Sequence, residues 1–317
     1  ALPTACDSSS CTMDLCEASE ELKQKYFSRI ADAEMLDNMV FTGFASETLA
    51  CLATREFGPG DIVIVSYPKS GSTWTMELLS AIVHEGDTEL IGSIQLERRV
   101  PFIDIPFKYW PPPSPVKARK NVYLTHLPLR YLPPSIREGK CKMVYVVRNP
   151  KDTAVSFLYH HKIAVRLGLQ NDLTWAEFFQ LFCSGFVVRG DWFEHVRDYW
   201  TFTRNNQNAK FVYYEDMKAN LMREDKEMEE FIGVHLTNEQ RSKVVQHCSF
   251  ESMKDNDMTN RSEKLVPDMV NEKFGKFMRK GVIGDWKNHF TVAQNEAFDE
   301  LYKMKMEGCE ELKFKYE

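Results

Sequence analysis

The chain has 317 residues, 43% apolar and 27% charged, which suits one large domain or two small ones. A formal net charge of −6 argues against general nucleic-acid affinity, so any anion site must be a local concentration of positive charge. No apolar run reaches the ~18 residues of a membrane helix. The eight cysteines contain no CxxC pair, give no zinc-ligand spacing, and read as reduced thiols of a cytoplasmic protein.

In chain order, residues 1–17 are rich in Ser, Thr and Cys and read as a flexible tail before a single domain over 18–317. Leu22, Tyr26, Phe27 and Ile30 recur at helical spacing. The run 61–66 (DIVIVS), bounded by Gly58-Pro59-Gly60 and Pro68, predicts a strand that feeds a helix over 73–84. Pro-rich 110–115 is irregular. Further strands are predicted at 122–124, 142–147 and 210–214, with helices over 152–165, 174–183 and 191–205. Near-continuous apolar strands imply burial on both faces, hence an α/β fold with a central parallel sheet flanked by helices. In such sheets ligands sit at the carboxyl ends of the strands. Lys69, His126 and Arg148 each follow a strand, so the topology points them at one crevice.

Three stretches carry candidate chemistry. The first, Tyr67 to Trp74, reads YPKSGSTW. It has the parts of a phosphate loop, but its lysine precedes its glycine, unlike G-x-x-x-x-G-K-[ST]. A helix N-terminus offers unpaired N–H groups, Gly71 permits close approach, and Lys69, Ser70, Ser72 and Thr73 add charge and hydroxyls. Trp74 suits stacking on a base or core packing. A plain reading is a turn capped by Ser or Thr. The second, Arg148 to Ser156, puts an arginine and a serine where they can share one anion, or is an ordinary helix entry with a surface arginine. The third, Arg279-Lys280-Gly281, suits a second phosphate or is a solvated charged loop. Three separate anion sites imply a ligand with phosphates in more than one place. No clear acidic ligand for magnesium stands out, with Asp152 left open.

Together these motifs resemble the cytosolic sulfotransferase family. YPKSGSTW resembles its loop for the 5′-phosphosulfate of PAPS (3′-phosphoadenosine 5′-phosphosulfate). VYVVRNPKDTAVS, Val144 to Ser156, resembles its 3′-phosphate unit, and RKGVIGDWKNHFT, Arg279 to Thr291, its C-terminal motif. The resemblance runs from about residue 55 to the end. It implies transfer of a sulfuryl group from PAPS to a hydroxyl or amine of a small, hydrophobic acceptor, leaving PAP, without a metal. Lys69 would contact the bridging oxygen, and Ser70, Gly71, Ser72 and Thr73 the 5′-phosphate. Arg148, Ser156, Arg279, Lys280 and Gly281 would hold the 3′-phosphate, Trp74 and Phe250 the adenine, and Tyr214 and Ser249 further nucleotide atoms. The implied catalytic set is His126 as general base with Lys69 and Ser156.

Many family members carry lysine where this chain has Leu124, so a catalytic cation is missing. The implied acceptor residues are Phe102, His126, His160, Met269 and Val270, with Phe157, Tyr159 and Trp110 as further walls and 262–278 as a cap. Lys287, Thr291, Val292 and Glu296 match the family's dimer segment and imply a homodimer. Rival readings are a nucleotide kinase using ATP and magnesium, a nucleotide-binding protein that has lost catalysis, and sulfation of an allylic alcohol followed by elimination.

Overall fold

A computed structural model describes residues 14–112, 114–169, 171–260 and 269–317. Its strands are β1 (Glu34–Leu36), β2 (Met39–Phe41), β3 (Asp61–Ser66), β4 (Asn121–Thr125), β5 (Lys142–Val147) and β6 (Ala209–Tyr213). The last four form one parallel sheet in the order β4-β3-β5-β6. All four predicted strands are therefore present, and the parallel α/β expectation holds. The sequence reading missed the antiparallel hairpin β1-β2.

The sheet is buried on both faces because its side chains alternate between two cores. Ile62, Ile64, Leu124, Val144 and Val146 enter one apolar cluster. Val63, Val65, Tyr123, Met143 and Tyr145 enter the other. The first cluster is closed by α3 (Ser72–Val83), numbered after α1 (Glu20–Arg29) and α2 (Ala45–Ala53). The second is closed by α4 (Pro150–Ile163), α5 (Trp175–Cys183) and α6 (Trp192–Arg204). The remaining helices named here are α7 (Tyr214–Ala219), α8 (Leu221–Ile232), α9 (Asn238–His247), α10 (Phe250–Asp255) and α11 (Val292–Lys305). Each fully buried aliphatic side chain contributes about 1.5–3 kcal/mol, so the alternation accounts for much of the sheet's stability.

Helix starts follow local chemistry. Asn149 caps α4 by accepting from Asp152 N, with Pro150 in the first turn, so the helix begins two residues before the expected 152. Thr174 and Glu177 form a capping box on α5, as do Thr291 and Gln294 on α11. Residues Asp14–Cys16 form a turn that packs against the domain, with Cys16 buried and Ala18 N donating to Ser184 Oγ at 2.8 Å. The proposed tail otherwise lies outside the described residues. Trp110, expected as a wall of the site, instead packs on Arg55, whose guanidinium also faces Phe57, Phe107 and Tyr123.

Glu77 sits inside α3 with no exposure, and its carboxylate accepts from Arg99 Nη2 (2.8 Å), His247 Nε2 (2.6 Å) and Thr259 Oγ1 (2.9 Å). Burial pushes its carboxyl up, but the His247 and Arg99 bonds outweigh that and hold it below its ordinary value. Glu77→Ala strands Arg99 as an uncompensated buried charge, which costs about 3–5 kcal/mol. Denaturant unfolding should read a loss of that order. A loss below about 1 kcal/mol would mean that the arginine finds water or another partner.

Candidate active site

The carboxyl ends of the parallel strands share one edge, and the first candidate loop leaves from β3. The chain turns through Lys69 (φ 69°) and Gly71 (φ 108°), both left-handed. A Cβ on residue 71 would stand 2.8 Å from the Tyr214 ring, so glycine is required by space as well as by backbone. Helix α3 then begins at Ser72, and its first N–H groups have no carbonyl in the helix to bond. They form the positive end of the helix dipole. Lys69 Nζ lies 4.1 Å over the Phe277 ring. Ser70 Oγ is buried without a hydrogen-bond partner. Trp74 Nε1 donates to Cys248 O at 2.8 Å, which fixes its ring.

The second and third stretches meet. Arg148 Nη2 donates to Val282 O at 2.9 Å, and its guanidinium covers the Tyr214 ring at 4.5 Å. Arg148 Nε is buried without a partner. Asp152 accepts from Gly284 N at 2.8 Å and Trp286 N at 3.0 Å. Its carboxylate therefore pins the C-terminal loop rather than facing a magnesium ion. Among the described residues no group of His, Cys, Asp and Glu is arranged to hold a metal. Arg279 and Lys280 each donate to Asp285 at 2.6 Å, so this is not a loose solvated pair. Despite partial burial, these bonds hold the Asp285 carboxyl well below the usual range. Gly281 (φ 64°) lies against Phe250: an added Cβ would be 2.4 Å from that ring. The Ser249 hydroxyl caps α10 by accepting from Ser252 N at 3.2 Å.

His126 follows β4. Its Nδ1 lies 2.7 Å from Ser66 O at the end of β3. A carbonyl only accepts, so Nδ1 carries the proton and donates, and Nε2 keeps a lone pair. The His126 backbone N donates to Asp104 Oδ2 at 3.0 Å. Asp104, fully buried, also accepts from Thr125 Oγ1 and pairs with Arg189 Nη2 at 3.2 Å. Burial pushes the Asp104 carboxyl up, against the pull of Arg189 and the Thr125 bond.

One cavity of about 900 Å³ joins these parts. Its wall carries every residue expected for nucleotide binding except Ser70, and all five expected for the acceptor, including His160, Met269 and Val270. Leu124 and Phe157 also line it; Tyr159 does not, and lies instead under the Arg279 guanidinium at 4.3 Å. Residues 262–268 of the expected cap lie outside the described residues. Sequence reasoning missed Ser66, Asp104 and Arg189, none of which belongs to a recognisable motif; only their place beside strand ends could have drawn attention to them.

Residues 59–310 match the family model described as the sulfotransferase domain. Over 262 residues the chain is 43% identical to Sulfotransferase 1C2 of Oryctolagus cuniculus, covering 80% of this chain and 85% of that protein. The solved structure of mouse sulfotransferase SULT7A1 complexed with PAP superposes with a TM-score of 0.69 at 31% identity, covering 88% of this chain and 96% of that one. Retinol dehydratase, solved with retinol and PAP, shares the fold at a TM-score of 0.78 and 22% identity, over 92% of this chain and 95% of its own.

Gly281→Ala should push Phe250 out of place and strain a backbone held at φ 64°. The expected result is at least tenfold weaker PAP binding by calorimetry, about 1.4 kcal/mol. Unchanged affinity would show that the Phe250 ring does not bear on the nucleotide.

Proposed function

The chain belongs to the sulfotransferase family, and from that premise we propose that it sulfates the hydroxyl of a small, largely apolar acceptor with His126 as general base. PAPS is the co-substrate that supplies the sulfuryl group, and PAP is the product left behind. The orphaned donors Ser70 Oγ and Arg148 Nε, the α3 N-terminus and the cradle at Gly71 fit such a ligand. The observation that carries the reading is the tautomer of His126. With Nδ1–H committed to Ser66 O, Nε2 is the unprotonated ring nitrogen, the one able to accept a hydroxyl proton, and His126 lines the same cavity as the nucleotide residues.

Lys69 and the positive end of α3 stand where negative charge builds on the phosphate side. Arg148, Ser156, Arg279, Lys280 and the Gly281 backbone bind the 3′-phosphate. Asp285 preorients Arg279 and Lys280, so less side-chain freedom is lost on binding. Trp74 and Phe250 flank the base, with Tyr214 and Ser249 beside them. Leu124 gives no charge, so Lys69 and the helix end carry that task. Phe102, whose ring centre is 5.4 Å from that of His126, supports an aromatic or alicyclic acceptor there, and Met269 and Val270 line the same cavity.

We place the enzyme in the cytoplasm as a homodimer. Among the described residues the six cysteines form no disulfide, and no helix is long and apolar enough to cross a membrane. The dimer segment offers Val292, 77% exposed, as its apolar centre, between Thr291 and Glu296. Lys287 is engaged with Glu317 in the single chain and must exchange that partner on pairing.

His126→Ala should lower turnover with PAPS at least a hundredfold. In the same variant, saturating PAP should still raise stability, by about 2.7 kcal/mol at a hundred times its Kd. Retained turnover would remove His126 from its role, and ADP stabilising as well as PAP would remove the 3′-phosphate site. Val292→Glu should convert dimer to monomer in sedimentation; an unchanged dimer would place the interface elsewhere.

A further inference from the structure

We infer that Arg189 makes the acceptor end of the cavity selective for a hydroxylated apolar molecule that also bears a carboxylate. The inference rests on the acceptor reading above and extends it to a substrate class. Arg189 is only 6% exposed, yet it lies on the cavity wall. The chain holds it there at some cost, since its φ of 73° is left-handed. Its backbone N donates to Val40 O at 2.9 Å, and the next residue, Gly190, accepts from Tyr67 OH at 2.7 Å. The guanidinium lies 5.1 Å over the Phe41 ring.

Asp104 does not use up this group. A guanidinium has five N–H donors, and a carboxylate takes two at most in a bidentate pair. Asp104 also divides its oxygens among Thr125 Oγ1 and His126 N. Donors therefore remain for an oxygen on the cavity side. The Asp104 Oδ2 that accepts from His126 N is also the one paired with Arg189, so the guanidinium stands one oxygen away from the histidine backbone. Arg166 lines the same cavity, 5.5 Å over Phe44, and is backed by Asp32 at 3.0 Å. In both pairs the arginine lines the cavity and the acid does not; Asp104 is buried, whereas Asp32 is exposed. Among the described lining residues there are seven lysines and arginines but one acid, Glu97. Four of those cations, Lys69, Arg148, Arg279 and Lys280, serve the nucleotide on the reading above, and Lys218 lies 5.8 Å over Phe250, so Arg166 and Arg189 are the two that remain for an acceptor, which complements an apolar acid.

The test uses para-hydroxyphenyl alkanoic acids of increasing chain length, each beside its own methyl ester. Binding to the protein–PAP complex is measured by calorimetry, and turnover with PAPS separately. The wild-type complex should bind the best acid at least about tenfold more tightly than its ester. Arg189→Met should abolish that ratio; because it also leaves the buried Asp104 carboxylate without its cation, the acid-to-ester ratio within the variant is what is read, not the absolute affinities. Should that variant not fold, Arg189→Lys, which keeps the charge but loses the fork, should reduce the ratio several-fold. An ester bound as tightly as its acid, or a ratio untouched by either variant, overturns the inference. An acid bound tightly but never sulfated leaves the inference standing and sinks the hydroxyl-transfer reading. Acid and ester sulfated with equal affinity do the reverse.

Discussion

The carboxylate of Asp152 joins two stretches that must meet for the Arg148 and Arg279 side of the cavity to exist. It sits in the first turn of α4, buried, and accepts from the backbone of Gly284 and Trp286, which lie 132 and 134 residues further on. Charge-assisted bonds to backbone N–H groups are about twice as strong as neutral ones, so this small contact fixes a long loop. The loop then brings Val282 O to Arg148 and sets Arg279 and Lys280 against Asp285. Asn149 completes the join from the other side. Its N and Nδ2 donate to Glu215 Oε1 at 2.8 and 3.1 Å, which ties the end of β5 to the helix after β6. Glu215 is so deeply buried that its carboxyl is pushed up to about 7 despite those bonds.

The His126 side of the cavity depends on strand register. Val65 pairs with Thr125, so the residues that follow, Ser66 and His126, leave the sheet side by side. That adjacency lets a main-chain carbonyl choose the histidine tautomer, and no further side chain is needed to do so. A slip of one residue would exchange the two faces of β4 and lose both the tautomer and the Asp104 bond.

Much of this was legible in the sequence because the same property wrote both levels. Strands buried on two faces are apolar throughout, and each ends at a polar or charged residue where the sheet stops. Lys69, His126 and Arg148 were visible for that reason. The hairpin was not, because three-residue strands are too short for alternation to show. Its turn, Asp37-Asn38, with both residues left-handed, was the available signal. Long-range partners were also invisible. Nothing in the sequence around Asp152 distinguishes a loop anchor from a metal ligand, and nothing around Trp110 or Tyr159 says that each lies against an arginine rather than on the cavity wall. Gly281 was read as a backbone donor, whereas its missing Cβ also makes room for Phe250.

Leu124 stands where many members of the family carry lysine, and its surroundings here are apolar. Leu124 and Thr125 are neighbours on β4 and so point to opposite faces. Leu124 packs with Ile64 and Val146, almost without exposure, in the cluster beneath α3. Thr125 turns the other way and bonds Asp104, which in turn pairs with Arg189. The face that resembles a lysine site is apolar here, and a cation stands on the other face. On the function proposed above, charge beside α3 would act on the group that departs with the nucleotide, and charge beside Asp104 on the molecule that arrives. On our reading Lys69 and the α3 N-terminus serve the first task and Arg189 the second, so the leucine that stands where many family members carry lysine leaves neither without a cation.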